Sequence, residues 1–149
     1  MKRKQSIDKS KVPNMEESRV DSMLSDLIYL GRATSTLSIS GFDFELKTLT
    51  EEENREIVDR LLKIEESKRL VCVKAMTLAK CILKINNHDF DDFAKAYIEN
   101  KDGSYEDIEI AKNAIILKLQ TTVTDKLFTK YEELVKESRD SIELEKIKN

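Results

Sequence analysis

Along most of this chain apolar residues recur every three to four positions, the period of a half-buried helix, and one stretch alternates instead. Val20, Leu24, Leu27 and Ile28 fall on one face of a helix expected over 14–31, helped by Met23 and Leu30. Asn14 stands where an N-cap belongs, with Glu17 three residues on, and Gly31 offers a left-handed stop. Residues 36–47 switch to period two. Leu37 and Ile39 alternate with Ser38 and Ser40, and Phe42, Phe44 and Leu46 alternate with Asp43, Glu45 and Lys47. With Ser40-Gly41 between the two runs, the pattern predicts a β-hairpin. An isolated hairpin is marginal in water. Its face carrying Phe42, Phe44 and Leu46 is therefore expected on the helices that carry Ile57, Leu61, Leu78 and Ile82, or its edge on another chain.

The helical period then returns. Thr50 is an N-cap with Glu53 at the capping-box position and three acids in the first turn. Ile57, Leu61 and Ile64 form one stripe; Val71, Ala75, Leu78, Ile82 and Ile85 form a second after the break at Glu65-Glu66-Ser67-Lys68. Two helices, about 50–65 and 68–85, account for both. Asn86 to Asp89 reads as a turn, and Phe90, Phe93, Ala94, Tyr97 and Ile98 as a helix near 90–99. Ser104 and Asp107 cap a long segment through Ile108, Ala111, Ile115, Leu119, Val123, Leu127, Tyr131 and Leu134, with Thr121, Thr122 and Thr124 marking a bend. The expected fold is mainly α: four to five helices around one core, one β-hairpin and an extended N-terminal arm. The expected organisation is a flexible basic arm at 1–13, an amphipathic helix at 14–31, a helical domain at 35–135 with its hairpin at 36–47, and a charged tail at 136–149.

Composition sharpens this picture. With 149 residues, 3 Gly, 1 Pro and no Trp, the chain suits one helical domain with an arm. Net charge is −3, yet residues 1–13 carry five bases against Asp8, so the remainder is at −7. An acidic body repels a phosphate backbone, which disfavours nucleic acid as a partner. The basic arm reads as a solvated end or as a contact for an anionic surface. No apolar run reaches the length of a membrane span, and the basic start lacks the apolar stretch of a secretory signal. Cys72 and Cys81, nine residues apart on one expected helix, point to opposite sides and cannot pair within it.

Chemistry is sparse. His88 is the single histidine and sits in the expected turn beside Asp89. Asn100, Asp102, Gly103 and Glu109 match four positions of a calcium-binding loop, but Ile98 stands where the first carboxylate is needed. Glu51, Glu52, Glu53 and Glu56 are accounted for by the helix dipole. The expectation is therefore no enzyme, no catalytic residue, no metal site and no cofactor. What remains are apolar faces. The candidate partner interface is Val20, Leu24, Leu27 and Ile28 with Leu37 and Ile39 of the hairpin.

Phe44, Leu46, Leu49, Thr50, Glu52, Glu53, Thr77, Leu78, Ala79 and Ile82 make a pattern. A short β-element F-x-L-x-x-L-T is followed by E-E, a helix, and a second helix ending in T-L-A-x-x-I. Over residues 38–87 this resembles the baseplate proteins of T4-type bacteriophages and the tail assembly chaperones of long-tailed phages. The resemblance implies a structural or assembly protein of a phage tail or baseplate, docking on other tail or baseplate proteins, retained in the virion or present in the host cytoplasm during assembly. A transient tail assembly chaperone, and a cytoplasmic helical adaptor or regulator unrelated to phage, are the alternatives. A homo-oligomer is compatible with each.

Overall fold

The computed structural model describes residues 15–100 and 107–148, with side chains over 17–100 and 107–143. The arm at 1–13 and the Asn14 cap lie outside the described residues. The chain divides into two units at Leu30/Gly31. In the first, α1 spans Met15–Ile28, and the amides of Tyr29 and Leu30 close its last turn on Ser25 and Leu27.

The second unit opens with Gly31, whose φ of +81° is costly for any residue with a Cβ. A Cβ there would also meet Ile142 Cδ1 at 2.8 Å. The expected hairpin follows as β1 (Thr34–Ile39) and β2 (Phe42–Lys47), paired from Thr34↔Lys47 to Ile39↔Phe42. Ser40 and Gly41 both have positive φ, +49° and +86°. These are the signs of a type I′ turn, whose twist matches that of the strands. A Cβ on Gly41 would meet nothing within 4 Å, so the turn needs its backbone freedom and not its small size.

Thr50 caps α2 (Glu51–Leu61) in the expected capping box. A single turn of 3₁₀ helix at Glu66–Lys68 leads into α3 (Arg69–Cys81). The α2 C-terminus is closed from outside, because Arg69 Nε donates to the Leu61 and Ile64 carbonyls at 2.9 and 3.0 Å. Here the structure departs from the expected helix 68–85. At Ile82 the backbone becomes extended, and β3 (Ile82–Ile85) runs antiparallel to β2. Asn86 and Asn87, again at positive φ, turn it into β4 (His88–Asp89). The hairpin is thus half of a four-stranded sheet ordered β1-β2-β3-β4. α4 (Phe90–Asn100) follows. The expected long segment splits at Leu119–Gln120 into α5 (Ile108–Lys118) and α6 (Thr121–Lys148). The break lies just before the threonine run: Leu119 is extended, and Thr124 Oγ1 donates to the Thr121 carbonyl. Residues 136–148, expected as a charged tail, continue α6.

The described residues therefore form six α-helices and a small antiparallel sheet, a mainly α fold with one helix more than the sequence suggested. α3 is central, packing against α2, α5 and α6, while α6 also crosses β1 and β2. The core joins Phe44 and Leu46 of β2, Ala75, Leu78, Ala79 and Cys81 of α3, Ile82, Phe90, Ile116, Leu127 and Leu134. Phe42 was expected with Phe44 and Leu46. It shares their face but lies beyond the cover of the helices, at the tip, and is 53% exposed. Ile82 lies on the adjacent strand and not on a covering helix.

This geometry predicts unequal costs along one strand face. Leu46→Ala should lower unfolding free energy by about 2–5 kcal/mol, the range for emptying a large aliphatic core site. Phe42→Ala should change it by less than about 0.5 kcal/mol, as at an ordinary surface position. Urea titration of the two variants measures both; equal losses would place the covered face elsewhere.

Candidate functional site

α1 presents the apolar row that the sequence singled out. Val20, Leu24, Leu27 and Ile28 are all exposed, as are Met23 and Leu30 beside them. Glu17, Arg19, Asp21 and Asp26 occupy the remaining surface of the helix, which is therefore acidic overall. Leu37 and Ile39 are placed differently. They point from β1 toward the core and pack half-buried against it, opposite Phe44 and Phe42. Of the six candidate residues, four lie on α1 in the first unit, and two line the inner face of the sheet in the second.

The body bears a second set of exposed apolar residues. Val58 lies in the last turn of α2, Leu62 is its C-cap, and Leu70 and Val71 open α3. Val71 shares the period of the α3 stripe, but the buried part of that stripe begins at Ala75. Helical periodicity assigns a residue to a face and carries no information about how far along the helix the cover extends.

Several polar side chains of the body are engaged with one another. Lys47 Nζ lies 2.6 and 2.7 Å from the two Glu53 carboxylate oxygens. Glu53 also accepts from the Thr50 amide, closing the capping box. Burial alone would raise the Glu53 pKa; the Lys47 hydrogen bond and charge and the Thr50 contacts outweigh it and hold the group below the usual glutamate value. Burial pushes the neighbouring Cys81 thiol up to about 12, the Lys47 charge opposing only in part. A thiol in that state supplies no thiolate near neutral pH and is a small core residue. Tyr131 is likewise raised, by burial first and then by Cys81 and Glu53.

His88 is exposed at the start of β4, edge-on to the Phe93 ring with centroids 6.3 Å apart. Of the acids at the start of α2, Glu53 holds Lys47 and Glu56 holds Lys80. Of the four residues with calcium-like spacing, Asp102 and Gly103 lie outside the described ones. Among the described residues no three His, Cys, Asp or Glu side chains converge on a metal-sized site. The described residues of the body line shallow depressions, two of which adjoin the sheet. One of about 350 Å³ lies between Leu37 and Asp125, Lys126, Thr129, Lys130 and Glu133 of α6. A smaller one of about 120 Å³ lies on the outer sheet face, among Thr36, Asp43, Glu45, Lys84 and the two turn asparagines.

Two outcomes follow from the electrostatics. The carboxylate form of Glu53 is favoured by folding, so its contribution is complete above the ordinary glutamate range and is lost as pH falls through the depressed folded value. Glu53→Gln should therefore reduce the acid sensitivity of the urea midpoint measured from about pH 7 to about pH 3. A thiol reagent under native conditions should modify the half-buried Cys72 and leave Cys81 intact until urea is added. Peptide mass mapping reads both sites.

Of the residues in the phage-like pattern, Glu52 is exposed in the first turn of α2 and the others serve the core or the helix cap. Phe44, Leu46, Thr77, Leu78, Ala79 and Ile82 are buried, Thr50 and Glu53 form the cap, and Leu49 packs against the core. No protein family, characterised protein or solved structure matches the chain.

Proposed function

We propose that this chain works by docking on other proteins, as a structural or assembly component of a phage tail or baseplate that stays in the particle. The docking half of the reading rests on one observation, the exposed apolar row Val20-Leu24-Leu27-Ile28 on α1. A 14-residue helix gains little from its own hydrogen bonds in water and depends on burial of its apolar face. The row is about 12 Å long, with i, i+4, i+7, i+8 spacing, the form read by an apolar groove on a partner. The acidic remainder of α1 suits a groove with a basic rim. The phage half rests on the resemblance of residues 38–87 alone.

Replacing Leu24 and Leu27 by Asp would place two charges on an apolar contact, where their desolvation opposes docking. The double variant should keep the circular dichroism and melting of the body while losing co-purification with the tail or baseplate proteins encoded beside it. Unfolding of the variant would assign α1 to the chain's own core, and unchanged association would remove α1 from the mechanism. Mass spectrometry of purified particles separates a resident component from a chaperone that leaves.

A further inference from the structure

The sheet has two unlike edges. β4 is only two residues long and carries Asp89. β1 is six residues long, and among the described residues it has a strand neighbour on one side only. Edge strands in monomers are ordinarily blunted by lysine, proline, a bulge or short length. Thr34–Ile39, read TSTLSI, has no charge and no proline, and its pairing with β2 runs without a register shift.

The two-residue turn fixes which backbone groups point outward. Ile39 and Phe42 flank it as a hydrogen-bonded pair, so Ser35, Leu37 and Ile39 direct their amides and carbonyls to β2. Thr34, Thr36 and Ser38 direct theirs to the free edge. The side chains of these three lie on the outer sheet face and are exposed. Every other strand puts charge on that face: Asp43, Glu45 and Lys47 on β2, Lys84 on β3, Asp89 on β4. β1 alone shows a row of small hydroxyls.

From this we propose that β1 pairs antiparallel with β1 of a second copy, about a two-fold axis through Thr36, giving a continuous eight-stranded sheet. Thr36 then faces Thr36 of the copy, and Thr34 faces Ser38 in both directions. The three outward-pointing residues of each edge satisfy one another through about six main-chain hydrogen bonds. The opposed side chains are Thr–Thr and Thr–Ser, which favour cross-strand contact and bring no like charges together. On the inner face, Leu37 of each copy lies opposite Ser35 of the other. The room for these side chains is present, because the 350 Å³ depression lies beside Leu37 and is floored by α6. Its two acids and two lysines carry no net charge, so the acidic character of the chain does not oppose a copy here. A second copy is the occupant that this symmetry of charge and pattern selects; a strand with charged outward residues would leave them facing hydroxyls.

Thr36→Lys and Thr36→Glu test the register, since each would face itself across the axis at about 5 Å. Thr36 is exposed and stands opposite Glu45 on β2, so Thr36→Lys should keep native melting, Thr36→Glu should melt slightly lower, and both should keep native circular dichroism. Sedimentation equilibrium at about 100 µM, well above a micromolar dissociation constant, should give a dimer for the unsubstituted chain and a monomer for each variant. An equimolar mixture of the two variants should restore the dimer through Lys–Glu pairing. A monomeric unsubstituted chain would overturn the proposal. So would a dimer unaffected by either variant, or a mixture that stays monomeric.

Discussion

The fold depends on α3 turning into β3 without a loop. Leu78 and Cys81 are fully buried, and Ile82, which takes the first extended backbone conformation, is buried with them. A helix places side chains around a cylinder, whereas a strand places them on alternate sides. Carrying buried side chains across the change therefore demands an adjustment. It is found in the pairing of β2 with β3, where Glu45 faces Lys84 but Leu46 faces Ile82, leaving Leu83 as an extra residue. That one-residue bulge rotates the start of β3 so that Ile82 stays in the core while Lys84 reaches the outer face. The helix that contacts α2, α5 and α6 is thereby fastened to the sheet by covalent continuity, and the sheet's inner face is fixed on the same core.

Charge acts around this centre as a set of ties. Lys80 on α3 has a side chain only 7% exposed, and it lies 2.7 Å from Glu56 of α2 and 3.9 Å from Glu109 of α5. Lys74 reaches Asp125 of α6, Lys112 joins α5 to Asp91 of α4 beneath the Phe90 ring, and Lys47 joins β2 to α2. Each contact between packed elements so named has an ion pair at its margin. Pairs of this kind, with one partner near the surface, add little stability each. Their effect is on orientation, because a rotated helix would leave a half-buried ammonium group without its carboxylate. The same use of Lys47, Lys80 and Glu53 explains why so charged a chain gathers few convergent groups on the described surface.

Local chemistry was the most legible part of the sequence. The Ser40-Gly41 turn and the Thr50/Glu53 capping box depend on a few adjacent residues, and both are present as read. β3 was hidden because Leu78, Ile82 and Ile85 also fit a helical stripe, and a four-residue apolar run cannot distinguish the two. The break at Leu119 was hidden likewise, since Ile115, Leu119 and Val123 keep the period of four across it. The threonines marked the place approximately. Exposure was the least legible property. Leu37 and Val71 have similar character in the sequence, yet Leu37 packs on the core while Val71 is 73% exposed, a difference set by where α6 and the sheet end. For the same reason the period names the apolar residues of α1 and of β1 without telling that the first are exposed and the second half-buried.

A strand edge and an apolar helix row would read partners in different ways. A strand edge binds through main-chain groups that every residue except proline possesses, so it recognises register and the absence of charge more than identity. A helix row binds through side chains and discriminates by shape and by the charges at its rim. β1 has the uncharged regularity that suits identical copies, whereas α1 has an individual order of Val, Leu and Ile within an acidic surround. Association through β1 would use no residue of the α1 row. It would present that row twice on one assembly, and two weak contacts on a linked pair hold a partner array far more tightly than either contact alone.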